Sequence, residues 1–366
     1  MGRETEYLAQ AVANGHISGD GPFTKRCQQI LEDLLGAPRV LLTTSCTHAL
    51  ELSAFLLELQ PGDEIILPSF TFVSTVNAFI LRGARPVFID IRPDTLNFDE
   101  TRLEQLITHR TRGIAVVHYA GVGCEMDAIL EIASRFAVPV IEDNAHGLSG
   151  CYKGRQLGTF GAASTLSFHE TKNVTCGEGG ALVINTEDWI DRAEILREKG
   201  TNRSRFFRGE VDKYTWVDMG SSYLPSDLLS AFLLGQLEQL ELVQHKRSLV
   251  FARYRDALGS WARDNGVRLP SVPPHCSPAH HMFYMLLPDL ASRQRFIGSL
   301  RDRGILSVFH YVPLHLSPMG QSFGCGPGDC PVTERVSEQL VRLPFYFGLT
   351  ESDQDSVIDA VLSFKV

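Results

Sequence analysis

Four short segments hold the residues with which this chain could do chemistry. Asp143-Asn144-Ala145-His146 closes the apolar run 138–142. An acid just past the carboxyl end of a parallel strand points into the crevice where α/β proteins bind ligands; a helix-capping aspartate is the plainer alternative. Lys172 lies in Ser167-Phe168-His169-Glu170-Thr171-Lys172-Asn173, after another run and before Gly177-Glu178-Gly179-Gly180. Such a lysine is either a surface cation or a Schiff-base nucleophile whose pKa falls on burial. Thr43-Thr44-Ser45-Cys46-Thr47 joins a strand to a helix, where backbone N–H groups and the helix dipole form an anion cup. Pro68-Ser69-Phe70-Thr71-Phe72 offers rings that stack on a flat ligand or pack in a core. Each segment alone favours a structural role. Together they supply what pyridoxal 5′-phosphate (PLP) needs: a covalent lysine, an acid for the ring nitrogen, a phosphate cup and a stacking ring.

The elements that must position them follow from periodicity. Residues 40–42, 64–67, 87–89, 114–118, 138–142, 165–168 and 181–184 are short apolar runs, and 48–59 and 126–136 have a helical period. This alternation predicts βα units feeding a mainly parallel sheet covered on both faces, an α/β fold. Ser226 is an expected N-cap, and an amphipathic pattern runs from it toward Leu258, as in a helix linking a large domain to a small one. The Pro-rich breaks beyond Gly259 then open a smaller α+β domain. At roughly 150 residues per domain, 366 residues suggest two.

Composition narrows the classes. A net charge of −9 argues against nucleic acid as the main partner. No apolar run spans a membrane and residues 1–20 hold no signal-peptide core, so a cytoplasmic protein is expected. Eight cysteines without a CxxC suit reduced thiols, and Cys325 and Cys330 near His310 and His315 match no zinc spacing, so no metal is expected. GxxxxGK[ST], GxSxG and HExxH are absent, and the two GxG strings lack the third glycine, which weakens a nicotinamide oxidoreductase.

The strings Gly19-Asp20-Gly21-Pro22-Phe23-Thr24, 68–75, 142–146, 167–173, 177–180 and 310–315 resemble the DegT/DnrJ/StrS family of sugar aminotransferases, across essentially the whole chain. The resemblance implies a fold type I, aspartate-aminotransferase-like PLP domain over residues 1–240, a small C-terminal domain over 241–366, and a homodimer or higher homo-oligomer with shared active sites. By it, Lys172 binds the cofactor and shuttles the proton, and Asp143 keeps the pyridine nitrogen protonated. His146 lies near the phenolic oxygen, Phe72 stacks on the ring, and Cys46, Thr47 and Ser167 hold the phosphate. Ser45-Cys46-Thr47-His48-Ala49 replaces the family's usual Asn-Gly-Thr-Ala-Ala. Ser222-Tyr223-Leu224 replaces Asn-Tyr-Arg, leaving Ser221 or Ser222 to reach the neighbouring subunit's phosphate. The implied reaction aminates C4 of dTDP-4-keto-6-deoxy-D-glucose from L-glutamate, with C3 the competing position. The dehydratase branch carries histidine where Lys172 stands. Arg208, Lys213 and Tyr214, in a basic and aromatic stretch, are expected at the nucleotide, and His310, Tyr311 and His315 at the sugar. A non-catalytic effector-binding protein is the reading from another class.

Overall fold

Short apolar runs closed by turn residues become strands, and the stretches between them become helices. The computed structural model describes residues 2–366. The first half runs α1 (Glu4–Ala13), α2 (Pro22–Leu35), β1 (Arg39–Thr43), α3 (Cys46–Leu56), β2 (Glu64–Pro68), α4 (Val73–Ile80), β3 (Arg85–Ile89), α5 (Leu103–Leu106), β4 (Thr111–Val117), α6 (Met126–Arg135) and β5 (Val140–Asp143). Then come β6 (Cys151–Tyr152), β7 (Arg155–Gln156), β8 (Ala163–Ser167), β9 (Gly180–Ile184), α7 (Ile190–Arg197), α8 (Arg203–Phe207), α9 (Asp227–Leu237) and α10 (Leu240–Asp264). The chain ends with β10 (Cys276–Ser277), β11 (Tyr284–Leu286), α11 (Leu290–Arg301), α12 (Pro318–Ser322), α13 (Pro331–Gln339), β12 (Leu340–Arg342) and α14 (Glu351–Leu362).

Among the described residues, seven strands form one sheet in the order β1-β9-β8-β5-β4-β2-β3. β8, β5, β4, β2 and β3 pair in parallel, and β9 runs antiparallel to both neighbours. The carboxyl ends of β1, β2, β3, β4, β5 and β8 therefore leave along one edge. β2 and β9 are buried along their whole length, as a sheet covered on both faces requires.

The helical pattern after Ser226 breaks at Gln239, which leaves helical ψ, so α9 and α10 are separate helices. α9 is not amphipathic in practice. Ala231, Leu233, Leu234 and Leu237 are all buried because α1 and α2 pack on it, and Gly235 admits the α1 backbone: a Cβ there would lie 2.8 Å from Glu4 N. Ser226 caps α9 as expected, accepting from Leu229 N. Asp227 reaches further, accepting from Thr24 N and Thr24 Oγ1 at 2.8 Å, and so caps α2 from another helix. A side chain at Gly21 would overlap that carboxylate.

A separate core joins Phe251, Tyr254 and Leu258 of α10 to Phe283, Phe296, Leu300, Val341 and Val357. β11 and β12 form its two-stranded ladder, while β10 pairs with β6. No helix among the described residues is long and apolar enough to cross a membrane.

Candidate active site

Asp143 ends β5 at the open sheet edge, buried. Its Oδ2 accepts from Thr75 Oγ1 at 2.7 Å and its Oδ1 from Ala145 N at 3.1 Å; Thr75 in turn meets Thr71 Oγ1 at 2.8 Å. The preceding Glu142 is a strut. It accepts from Gly158, Phe160 and Gly161 N–H groups and meets His118 Nε2 at 2.9 Å, so its charge is satisfied from four sides.

Lys172 sits in the loop that turns β8 back as β9. Phe168, with no exposed surface, anchors the loop through bonds to Gly179 and Cys176. Gly177 makes the turn at φ +85°, a conformation open to glycine. Asn173 Nδ2 donates to Ala279 O at 2.7 Å and ties the loop down. Burial lowers the Lys172 pKa below the ordinary lysine value, against the opposing pull of Cys46 and Asp143. A larger fraction is then the neutral, nucleophilic amine. Ser167 lines the same recess as Lys172, Asn144, His146 and His281.

The anion cup stands at the start of α3. Ser45 caps it by accepting from His48 N at 3.1 Å. The free N–H groups of the first turn face the sheet edge, and Thr47 Oγ1 bonds Ser74 Oγ at 2.8 Å. A Cβ at Gly180 would overlap Cys46 N and the Ser45 carbonyl carbon, so only glycine lets β9 start against this turn. Burial, then Asp143, pushes the Cys46 thiol up to about 12, which keeps it protonated.

Rings close the site. Phe70 is 1% exposed and packs on Tyr119, whereas Phe72 is 59% exposed. Tyr311 faces both. His310 stacks on Tyr311 at 3.5 Å and meets the Tyr119 hydroxyl through Nδ1 at 3.1 Å. His146 stacks on His281 at 4.2 Å, and His281 is oriented by Asn173 Oδ1 at 3.0 Å. Burial holds His146, His281 and His310 below the usual histidine range, so all three are neutral near pH 7.

The fold thus brings Cys46, Thr47, Phe72, Asp143, His146, Ser167, Lys172, His310 and Tyr311 to one edge region. Other expected residues lie elsewhere. His315, expected at the sugar, is 0% exposed, its Nδ1 on Ser69 Oγ at 2.6 Å and its Nε2 on Glu334 at 3.1 Å. It braces the loop behind the site because both ring nitrogens are taken. Arg208 is paired with Glu194 and Glu210, both at 2.6 Å, on the surface. Lys213 and Tyr214 are exposed, as are Ser221, whose backbone bonds Leu196 and Lys199, and Ser222, which bridges to Glu198. Thr75, Tyr119 and His281 had no assigned place in the sequence reading. Thr71 and Thr75, one helical turn apart beneath the ring segment, carried a usable signal; the other two come from distant segments.

These residues fit PLP. His146 Nδ1 is buried without a partner beside Lys172, the α3 start offers unpaired N–H donors, and a carboxylate, an amine and an open ring converge there. The comparisons agree. Residues 2–362 match the profile of the DegT/DnrJ/EryC1/StrS aminotransferase family. GDP-perosamine synthase of Caulobacter vibrioides is 32% identical over 98% of this chain and 95% of its own length. Spore coat polysaccharide biosynthesis protein SpsC of Bacillus subtilis is 32% identical over 98% and 93%. The crystal structure of the aminotransferase TlmJ from Streptoalloteichus hindustanus superposes with a TM-score of 0.90 at 30% identity, covering 99% of this chain and 96% of that one.

Proposed function

We propose a function on this premise: the chain belongs to the DegT/DnrJ/EryC1/StrS aminotransferase family, whose members are PLP-dependent sugar aminotransferases. The reaction is transfer of the amino group of L-glutamate to C4 of dTDP-4-keto-6-deoxy-D-glucose, giving a dTDP-4-amino-4,6-dideoxyhexose. The observation that carries the transfer is the meeting of Lys172 and Asp143 past the ends of β8 and β5, beside the start of α3 and the open ring of Phe72. PLP, when bound, supplies an electron sink. Lys172 would hold it and move the proton, Asp143 would keep its ring nitrogen protonated, and the α3 turn with Ser167 would take its phosphate. His146, whose Nδ1 is buried without a partner, would lie near its phenolic oxygen.

Amination of a neutral hexose needs binding energy from remote groups, which a nucleotide diphosphate offers. His310 and Tyr311 are assigned to the sugar, and Lys213, Tyr214 and Arg208 to the nucleotide. Lys213 has no ion-pair partner among the described residues, whereas Arg208 must first leave Glu194 and Glu210. The strings 198–204 and 220–228, which resemble those of dTDP-4-amino-4,6-dideoxygalactose transaminase, favour C4 of a dTDP-sugar. The similarity to GDP-perosamine synthase favours, as a second reading, another nucleotide-linked keto-sugar. Incubation with dTDP-4-keto-6-deoxyglucose and L-glutamate, followed by NMR of the product, decides between them. Nitrogen at C4 is expected; nitrogen at C3, or reaction only with a GDP-linked sugar, overturns the assignment.

The chain is further read as a cytoplasmic homodimer or larger assembly, with its domain boundary at 240/241. Support comes from exposed Trp216, Val217 and Met219 beside Ser221 and Ser222, an apolar surface of the kind a partner covers. Mixing Lys172→Ala chains with doubly substituted Ser221→Ala, Ser222→Ala chains should restore part of the activity in hybrid dimers. A monomer fully active at every concentration refutes the shared site.

A further inference from the structure

The His146 ring is held by packing alone. Among the described residues no hydrogen bond reaches either of its nitrogens, and Nδ1 is buried. The nearest ring is that of His281, 4.2 Å away and tilted by only 14°; Tyr119 stands edge-on at 6.0 Å and His310 at 6.4 Å. The direction in which His146 points therefore depends on where His281 is fixed.

His281 is fixed from two sides. Asn173 Nδ2 donates to Ala279 O at 2.7 Å, which turns its Oδ1 toward His281 Nδ1 at 3.0 Å, so Nδ1 carries the proton of that bond. Asn173 directly follows Lys172, and one asparagine thus ties the Lys172 loop and the His281 ring together. From the other side Arg247 of α10 donates through Nε to His280 O at 2.8 Å and through Nη2 to His281 O at 2.5 Å. Arg247 is buried, its guanidinium lies over the Phe345 ring at 4.8 Å, and among the described residues no carboxylate pairs with it. A buried cation compensated only by carbonyls is unfavourable. The segment it clasps is strained as well, for His280 has φ +46°, a left-handed conformation that a Cβ disfavours. Both unfavourable features have one result, the placing of the His281 ring against His146. Burial first, and then the charges of Lys172, His310, Arg342 and Arg247 between them, keep the two rings neutral near pH 7. A neutral imidazole has one N–H, so His146 can give a hydrogen bond only when its ring faces the acceptor.

We propose that His281, fixed by Asn173 and Arg247, is the positioning residue that aims His146 at the phenolic oxygen of the cofactor. The proposal rests on the reading of His146 given above and adds the residues that hold it.

The test uses the PLP-loaded enzyme and its variants, and reads the pH midpoint of the visible absorption band, with circular dichroism as the check on folding. A hydrogen bond to the phenolic oxygen stabilises the negative charge there and lets the neighbouring proton leave at lower pH, so losing the bond raises the midpoint. His146→Ala is expected to raise it by about one unit, the worth of one hydrogen bond. His281→Leu, which fills the space without a flat face, should raise it by a similar amount. His281→Phe, which restores a stacking ring, should reverse most of that shift, an outcome that a general loosening of the fold does not produce. Arg247→Met, which frees both carbonyls, should move the midpoint in the same direction, and it decides the matter if His281→Leu does not fold. With His146→Ala shifted, an unmoved midpoint in the deciding variant, or equal shifts in His281→Leu and His281→Phe, overturns the proposal and leaves the reading of His146 intact. A midpoint unmoved by His146→Ala overturns that reading, and this proposal with it.

Discussion

Lys172→Ala is expected to abolish turnover and to leave the fold intact. The side chain lies at the site end of a loop whose anchors are Phe168, Asn173 and Gly177, so removing the amine disturbs none of them. No other lysine can replace it. Lys153 and Lys199 are exposed and held by Asp127 at 2.6 Å and Glu198 at 2.8 Å, away from the site. Burial instead lowers the Lys172 pKa, and the neutral form it favours is the one that attacks a carbonyl carbon. Borohydride treatment followed by peptide mapping should find the cofactor on the peptide containing Lys172. Label on Lys153 or Lys199 would sink the assignment.

Asp143→Asn should fold normally and lose more than about a hundredfold in kcat, the scale seen when one preorganised charge-stabilising group is removed. The amide can copy the carboxylate's hydrogen bonds. Its oxygen can still accept from Ala145 N, and its NH2 can donate to Thr75 Oγ1, which turns its own proton toward Thr71. What the amide lacks is the negative charge that holds a proton on a ring nitrogen. Unfolding by urea checks the first statement and steady-state kinetics the second. Activity within a few-fold of wild type would remove Asp143 from the mechanism.

Much of this was legible along the chain because it is local. Strands β2, β5, β8 and β9 appear as short apolar runs, and Asp143 stands out because it closes one and Lys172 because it lies a few residues past another, before a Gly-rich turn. Ser226 was readable as a cap from its own neighbours. The amphipathic pattern after it misled, since a period of 3.6 reports one apolar face and cannot show that α1 covers another. The same limit explains His315. Proximity to His310 and Tyr311 placed it at the sugar, but the chain turns behind Ser69, and Glu334 takes its other nitrogen. Arg208 looked free for a phosphate because Glu194, which engages it, sits on another helix.

Residue types and spacing by themselves determined the α/β class, the family resemblance and the two residues on which the proposed chemistry turns. The tertiary structure alone decided that Thr75 steadies Asp143 and that His281 stacks on His146. These contacts join segments 68 and 135 positions apart. Side-chain direction at such range follows from strand register and helix packing, which no local pattern encodes.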